Sequence, residues 1–387
     1  MNATTISWTD FSINPIKYRN ANSKVVWACV KKSAGCANCY AEATARRWDR
    51  GGPFTAEMMH GGVHDGGLSD GGLTPFLDEK ELHHLLHSKK ISGKKVFVGD
   101  MTDLFGEWVP FEMLDRLFAV MALRPDVTFQ LCTKRPERMA EYLLRDRCGR
   151  TISLAGVGLY NERYPNAMPP EIIPGFSKHS IIQKWPLPNV WLGTTCENQA
   201  AADERIPWLL KCPAAVRFLS CEPLLGDVDL LGRDGGALMG YHDDDVSGGG
   251  LVRLPHSTPY IHQPRKIDWV IVGGESGPRA RPCDVAWIRS IVRQCKTAGV
   301  ACFVKQLGAC VRGDYYEKND TFRNRLVDGR RPILIHPDGA RFDLNTYDAR
   351  SFGQPPVGSM VETRMADPKG GEMWEWPEDL RVREMPS

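Results

Sequence analysis

KKVFVGDMTDLFGEWVPFEMLDRLFAVMALRPDVTFQLCTKRPERMAEYLLRD, residues 94–146, sets out the fold in one passage. Val96–Val98 is a short apolar run that breaks into Gly99-Asp100-Met101-Thr102-Asp103. PFEMLDRLFAVMAL, residues 110–123, enters on a proline and spaces its apolar side chains three and four apart, as a core-facing helix does. A second apolar run, VTFQLCT, then breaks into Lys134-Arg135, and Pro136 opens another helical pattern to residue 146. Strand, helix, strand, helix is the signature of βαβ units and a parallel sheet.

Working outward, four more runs share this character: NVWLGTTCENQ (189–199), AVRFLSCEPLLG (215–226), IDWVIVGGESG (267–277) and VACFVKQLG (300–308). Short continuous apolar runs suit strands buried on both faces. NQAAADERIPWLLK and DVAWIRSIVRQCKTAG supply helices between them, the second ending on Gly299 as a stop. A first strand is expected near Val25–Cys29, giving about seven in all. The expected class is α/β, a partial (β/α)6-type open barrel over residues 1–311. Loop insertions are expected at 51–75, 144–180 and 231–266, the middle one irregular and proline-containing. A small C-terminal α+β appendage, 312–387, is expected to carry a hairpin in RPILIHPDGARFDL turning at Asp338-Gly339.

Of the 387 residues 25% are charged and 42% hydrophobic, the mix of a soluble globular protein. No apolar run reaches the ~20 residues of a membrane helix. MNATTISWTDFSINP lacks the basic start and apolar core of a signal peptide, so a cytoplasmic protein with no membrane partner is expected. The net charge of +2 neither demands nor excludes nucleic acid. Twelve cysteines in such a chain are expected to be reduced, and Cys132, Cys196, Cys221 and Cys302, in strand-like runs, read as small buried hydrophobes.

Polar residues recur where the apolar runs end: Asp100 and Asp103, Lys134 and Arg135, Glu197 and Asn198, Glu222, Glu275, Lys305 and Gln306. Chemistry in parallel α/β folds gathers at the carboxyl ends of strands, so these are expected to share a rim. Arg46, Arg47 and Arg50, Lys134, Arg135 and Arg138, and Arg279 and Arg281 form basic groups near Trp48, Trp108 and Trp287. They read either as a nucleic-acid groove or as ordinary surface charge beside core aromatics.

One group of cysteines is closely spaced: CVKKSAGCANC places Cys29, Cys36 and Cys39 as C-x6-C-x2-C. Three soft thiolates suit an iron–sulfur cluster with one open iron, or zinc with His60 or His64 as a fourth ligand, or no metal at all. Gly35 lets the loop turn tightly.

ISWTDFSINP (6–15) followed by C-x6-GC-x2-CYAE, then VFVGDMTDLFGEWVP, TFQLCTKRPERM, VWLGTTCENQ, RFLSCEPLLG, DWVIVGGESGPRARP, FVKQLG and WPEDLRVREMP, resembles the phage Gp37/Gp68 family of three-cysteine-motif, DUF5131-type proteins. That family is in turn similar to the radical S-adenosylmethionine superfamily, spore photoproduct lyase among its members. The superfamily spacing is C-x3-C-x2-C, and this chain carries three more residues between its first two cysteines.

The resemblance implies a partial barrel whose Cys29, Cys36 and Cys39 ligate a [4Fe–4S] cluster. The open iron would bind S-adenosylmethionine, and a 5′-deoxyadenosyl radical would abstract hydrogen from the substrate. Gly99, Asp100 and Asp103 would hold the cofactor's methionine amine. Gly273, Gly274 and Glu275 would meet adenine or substrate, or else form a tight turn with a solvated glutamate. Glu197 and Asn198 would bind ribose hydroxyls or a carboxylate. Lys134, Arg135, Lys305 and Gln306 would take substrate or phosphate, the first two otherwise being a solvated helix start. Tyr40 packs over the cluster or in the core. Cys221, beside Glu222, is the candidate hydrogen donor to a product radical, against a buried structural thiol. The implied substrate is a pyrimidine, such as a hypermodified thymine of phage DNA, to be modified, rearranged or repaired in the host cytoplasm. A reductant protein such as flavodoxin or ferredoxin, and a separate partner protein, are the implied partners. The rival function is a non-catalytic, zinc-stabilised module that binds nucleic acid or a partner; a third is a radical enzyme acting on a peptide or small metabolite.

Overall fold

Phe11–Ile13, not Val25–Cys29, is the first parallel strand of the main sheet. The computed structural model describes residues 2–60, 63–64, 67–68, 72–146, 148–166, 182, 184–232, 236–239, 266–314, 330–344, 346, 354–365, 367, 369–373 and 376–386. The chain divides into two compact units, one of Met1–Thr194, Arg205–Phe218 and Tyr241–Arg265, the other of Thr195–Glu204, Leu219–Gly240 and Lys266–Ser387.

In the first unit, β1 (Asn2–Ala3) pairs antiparallel with β2 (Phe11–Ile13). β3 (Ile16–Arg19) pairs antiparallel with β4 (Val25–Val26). After α1 (Tyr40–Arg47), α2 (Ala56–His60) and the two-stranded β5 (Val63–His64) and β6 (Gly67–Leu68), β7 (Thr74–Leu77) returns to the other edge of β3. The run near Val25 therefore belongs to a small antiparallel sheet, β4-β3-β7, whose β3 and β4 come between β2 and the cysteines in the chain. Then follow α3 (Glu79–His87), β8 (Lys95–Val98), α4 (Phe111–Leu123), β9 (Thr128–Thr133), α5 (Pro136–Leu144), α6 (Cys148–Arg163) and β10 (Val190–Thr195). β2, β8, β9 and β10 run parallel in chain order.

Next come α7 (Gln199–Lys211), β11 (Val216–Cys221), α8 (Gly236–Met239), β12 (Trp269–Gly273), β13 (Cys283–Asp284), α9 (Val285–Ala298), β14 (Ala301–Gln306), β15 (Cys310–Asp314), β16 (Arg330–Ile335), β17 (Arg341–Asp343) and β18 (Met360–Arg364). The main sheet has the order β1-β2-β8-β9-β10-β11-β12-β14, so its strands after β1 follow one another in sequence. That is the α/β, partial-barrel class expected, with helices between successive strands. A second sheet, β13-β15-β18-β16-β17, carries the C-terminal residues, and its β16–β17 hairpin turns at Asp338-Gly339 as expected.

Local sequence explains the elements. β12, WVIVG, is buried at every residue, as its unbroken apolar run requires. Pro110 caps α4, whose Leu114, Leu117, Phe118 and Met121 are buried. Asp284 caps α9 by accepting from the Ala286 N–H, and Gly299, at φ +63°, ends it. The expectation of an irregular 144–180 is corrected over its first half. α6 occupies 148–163 and packs on α4. Its buried face is Cys148, Ile152, Ser153, Gly156 and Leu159, a stripe too rich in small residues to show as amphipathic. Most of the expected insertion at 231–266 lies outside the described residues.

Candidate functional site

The cysteine loop leaves β4, makes one 3-10 turn at Ala34–Cys36, and enters α1 with Cys39 at the N-cap. Its course is fixed from outside. The Trp27 N–H donates to the Arg50 carbonyl at 2.7 Å and the Lys31 N–H to the Phe54 carbonyl at 3.2 Å. Glu42, buried on α1, ties the loop to the helix by holding Lys31 at 2.8 Å and Arg46 at 2.7 Å. Burial alone would raise its carboxyl, but these two cations hold it below the usual range.

Cys29, Cys36 and Cys39 are half-buried free thiols. Cys29 and Cys39 pack against Ala41, Ala45, Phe54 and Met101. Both thiols are pushed up by burial, Cys29 to about 12, and each feels a neighbouring cysteine: Cys39 acts on Cys29, and Cys36 on Cys39. The backbone of Ala41 and Glu42 beside Cys39, and of Asp103 beside Cys29, offsets part of that rise, and Cys29 Sγ donates to the Val30 carbonyl at 3.7 Å.

The ends of β8 and β9 reach this loop. Gly99, at φ +87°, turns the chain out of β8, where a Cβ would lie 2.7 Å from Leu104. Asn14 then clasps the turn, its Nδ2 donating to Asp100 Oδ1 at 2.5 Å while its Oδ1 accepts from the Met101 N–H at 2.9 Å. Burial raises the Asp100 carboxyl. The Tyr40 hydroxyl donates to the Asp100 carbonyl at 2.6 Å, and the residue is more than half exposed, so Tyr40 is not a core residue.

Asp103 is saturated. Its Oδ1 accepts from Thr133 Oγ1 at 2.6 Å and the Phe105 N–H at 3.1 Å. Its Oδ2 accepts from the Lys134 N–H at 3.1 Å and Arg135 Nη1 at 3.2 Å. Arg135 also donates to Glu107 Oε2 at 3.0 Å and to the Val30 carbonyl at 3.0 Å, with Trp108 under its guanidinium. These two residues, read from sequence as ligand-binding, therefore brace the loop beside Cys29. Arg138 is likewise spent on the carbonyls of Gly106 and Val109. Of the basic groups, Arg46 and Arg47 in the last turn of α1 and Arg50 just beyond it stand exposed with Trp48.

A single tetrahedral zinc, with Zn–S about 2.3 Å, draws its sulfurs to about 3.8 Å of one another. Among the described residues, the group of three donors within 4.8 Å of one another is His83, His87 and Glu162, and the three cysteines do not meet that distance. A cluster places its sulfur ligands on separate irons, so the spacing of a single zinc does not apply to it. Three soft donors on one loop are of the chemical class that such a group takes. His60 is on α2 and exposed, and the side chain of His64 lies outside the described residues.

The second unit gathers the other candidates. Asn198 Oδ1 accepts from the Ala201 N–H at 2.9 Å, a helix cap on α7. Glu197 is buried, its carbonyl accepting from the Leu225 N–H at 2.8 Å. Glu275 is held by Arg281 through Nε at 2.9 Å and Nη2 at 2.7 Å, so it is no solvated turn residue. Gln306 Nε2 donates to the Gly274 carbonyl at 2.7 Å. The two glycines answer to close backbone approach: a Cβ on Gly274 would lie 2.2 Å from the Leu307 carbonyl oxygen, and one on Gly273 2.9 Å from Glu222. Lys305 Nζ stands 3.2 Å from Glu222 Oε1. Cys221 is fully buried, and burial raises its thiol far above the ordinary value.

Asn14 and Glu107 escaped the sequence reading. Asn14 closes FSINP, and reading Phe11–Ile13 as the first strand would have placed it at a strand end with the other candidates. No described helix is long and apolar enough to cross a membrane. The model of a family described as a protein of unknown function, DUF5131, matches residues 3–333. No curated protein and no solved structure matches the chain.

Proposed function

This chain belongs to the DUF5131 family, and we propose that it is an iron–sulfur enzyme using S-adenosylmethionine to modify, rearrange or repair a nucleic-acid base. The observation that carries this reading is the meeting of Cys29, Cys36 and Cys39 at the start of α1 with the ends of two parallel strands. The three cysteines would hold three irons of a [4Fe–4S] cluster. When bound, such a cluster supplies a low-potential electron for reductive cleavage of the cofactor's sulfonium bond.

The chain's own groups have distinct tasks. Burial keeps Cys29 and Cys39 as thiols without a metal, so binding a cluster would release their protons. Asp100, steadied by Asn14, offers a carboxylate to the cofactor's ammonium group, whose charge offsets the burial that raises that carboxyl. Arg135 is a positioning residue, because its donors are spent on Asp103, Glu107 and Val30. Arg47 and Arg50 supply phosphate contacts, and exposed Trp48 supplies a stacking face.

The test is anaerobic purification, reconstitution with iron and sulfide, then S-adenosylmethionine and dithionite. Formation of 5′-deoxyadenosine by the wild type and its loss in Cys29→Ala are expected. A fully loaded cluster that leaves the cofactor intact contradicts the enzyme reading. A colourless protein holding stoichiometric zinc favours the binding module.

A further inference from the structure

α3 carries His83 and His87 one turn apart, and α6 brings Glu162 to them. His83 Nδ1 lies 2.7 Å and His87 Nε2 3.1 Å from the same carboxylate oxygen, Glu162 Oε1. The two imidazole rings are 4.4 Å apart, centroid to centroid. All three donor atoms lie within 4.8 Å of one another. Zinc takes such nitrogen and oxygen ligands at about 2.0–2.2 Å, so a tetrahedral ion has ligand edges of about 3.4 Å. The three donors thus need only small shifts to surround one ion.

We propose that His83, His87 and Glu162 form a surface site for a zinc-class divalent cation that ties α3 to α6. Two imidazoles and a carboxylate are borderline donors of the kind zinc, cobalt(II), nickel(II) and copper(II) prefer over magnesium or calcium. His83 and Glu162 are exposed and His87 half-buried, so an ion has an open approach and water completes its shell. The nearby cations do not block it. Arg116, which faces Glu162, is engaged by both oxygens of Glu79. The guanidinium of Arg163 turns to the Leu86 carbonyl and the Tyr164 ring. The site lies within the first unit and requires no role for the cysteines.

The metal-free full chain is titrated with cobalt(II), then zinc, by visible absorption and equilibrium dialysis. The three-cysteine variant Cys29→Ser/Cys36→Ser/Cys39→Ser is titrated in parallel, so that a nitrogen–oxygen site is separated from a thiolate site. The expected result is about one cobalt per chain in that variant, without a sulfur charge-transfer band, and displaced by zinc. Affinity is expected to fall more than about ten-fold in His87→Ala and in Glu162→Gln, as removing a direct ligand should cost more than removing a supporting residue. His84→Ala, one residue away on the exposed face, is expected to bind as before, and unchanged circular dichroism will show that each variant is folded. Absence of cobalt uptake in the three-cysteine variant, or equal affinity in folded His83→Ala, His87→Ala and Glu162→Gln, overturns the proposal.

Discussion

Asp103 and Arg135 form a buried ion pair, Nη1 to Oδ2 at 3.2 Å, and the same guanidinium reaches the carbonyl next to Cys29. Both side chains are less than a tenth exposed. Their attraction is offset by the desolvation of both charges, but removing one partner strands the other. Arg135→Ala is expected to lower unfolding stability by about 3–5 kcal/mol, measured by urea denaturation. Arg135→Lys is expected to recover little, because one ammonium cannot serve Asp103, Glu107 and Val30 together. Faster thiol labelling of Cys29 in a folded Arg135→Lys protein would show the loop loosened, and an unchanged urea midpoint in Arg135→Ala would contradict the brace.

The glycine pair after β12 makes a second, sharper test. Alanine at position 274 would bring its Cβ to 2.2 Å from a backbone oxygen that cannot swing aside. Gly274→Ala is expected to cost about 1–3 kcal/mol or prevent folding. Gly158, exposed within α6, has no atom within 4 Å of where a Cβ would stand. Gly158→Ala is expected to stabilise by about 0.5–1 kcal/mol through helix propensity. Opposite shifts in thermal midpoint check the pair, and equal shifts would sink this account of the glycines.

Acid stability should report on Asp126. A hydrogen bond from buried Arg124 holds its carboxyl down at about 2. An unfolded aspartate titrates at about 3.9. A depressed folded value means that the unfolded chain binds the proton first, so the stabilisation is present above pH about 4 and is lost as pH falls toward 2. Asp126→Asn is expected to lose stability less steeply than the wild type over that window, in urea melts at stepped pH. Parallel curves for the two proteins would contradict this.

The exposed patch past α1 predicts a salt-sensitive interaction. Arg47→Ala/Arg50→Ala is expected to weaken binding of a single-stranded oligonucleotide and to lower its salt slope by about 0.7 for each phosphate no longer neutralised. Trp48→Ala is expected to cost about 1–3 kcal/mol of affinity with little change in the slope. Fluorescence anisotropy at several salt concentrations measures both, and unaltered binding in both variants would remove the nucleic-acid substrate.

The strands buried on both faces were legible because their apolar runs are unbroken, as in WVIVG of β12. β2 was not, being three residues with a serine at its centre. α6 was hidden by the small side chains on its buried face. The thiol spacing stood out in the sequence as a candidate site, and the strand-end residues were visible too, but their contacts were not. Arg135 and Glu275 read as ligand-binding because a sequence does not show that Asp103 and Arg281 already occupy them. Similarly, the histidines of EKELHHLLH are visible four apart, while Glu162 joins them only through the packing of α6.

Metal and sulfide content tests the central claim most directly. Wild-type protein and Cys36→Ala, both purified and reconstituted without oxygen, are assayed for iron, acid-labile sulfide and zinc. About four irons and four sulfides per wild-type chain are predicted, with both collapsing in the folded variant. About one zinc at the three cysteines, retained without iron or sulfide after reconstitution, would contradict the account.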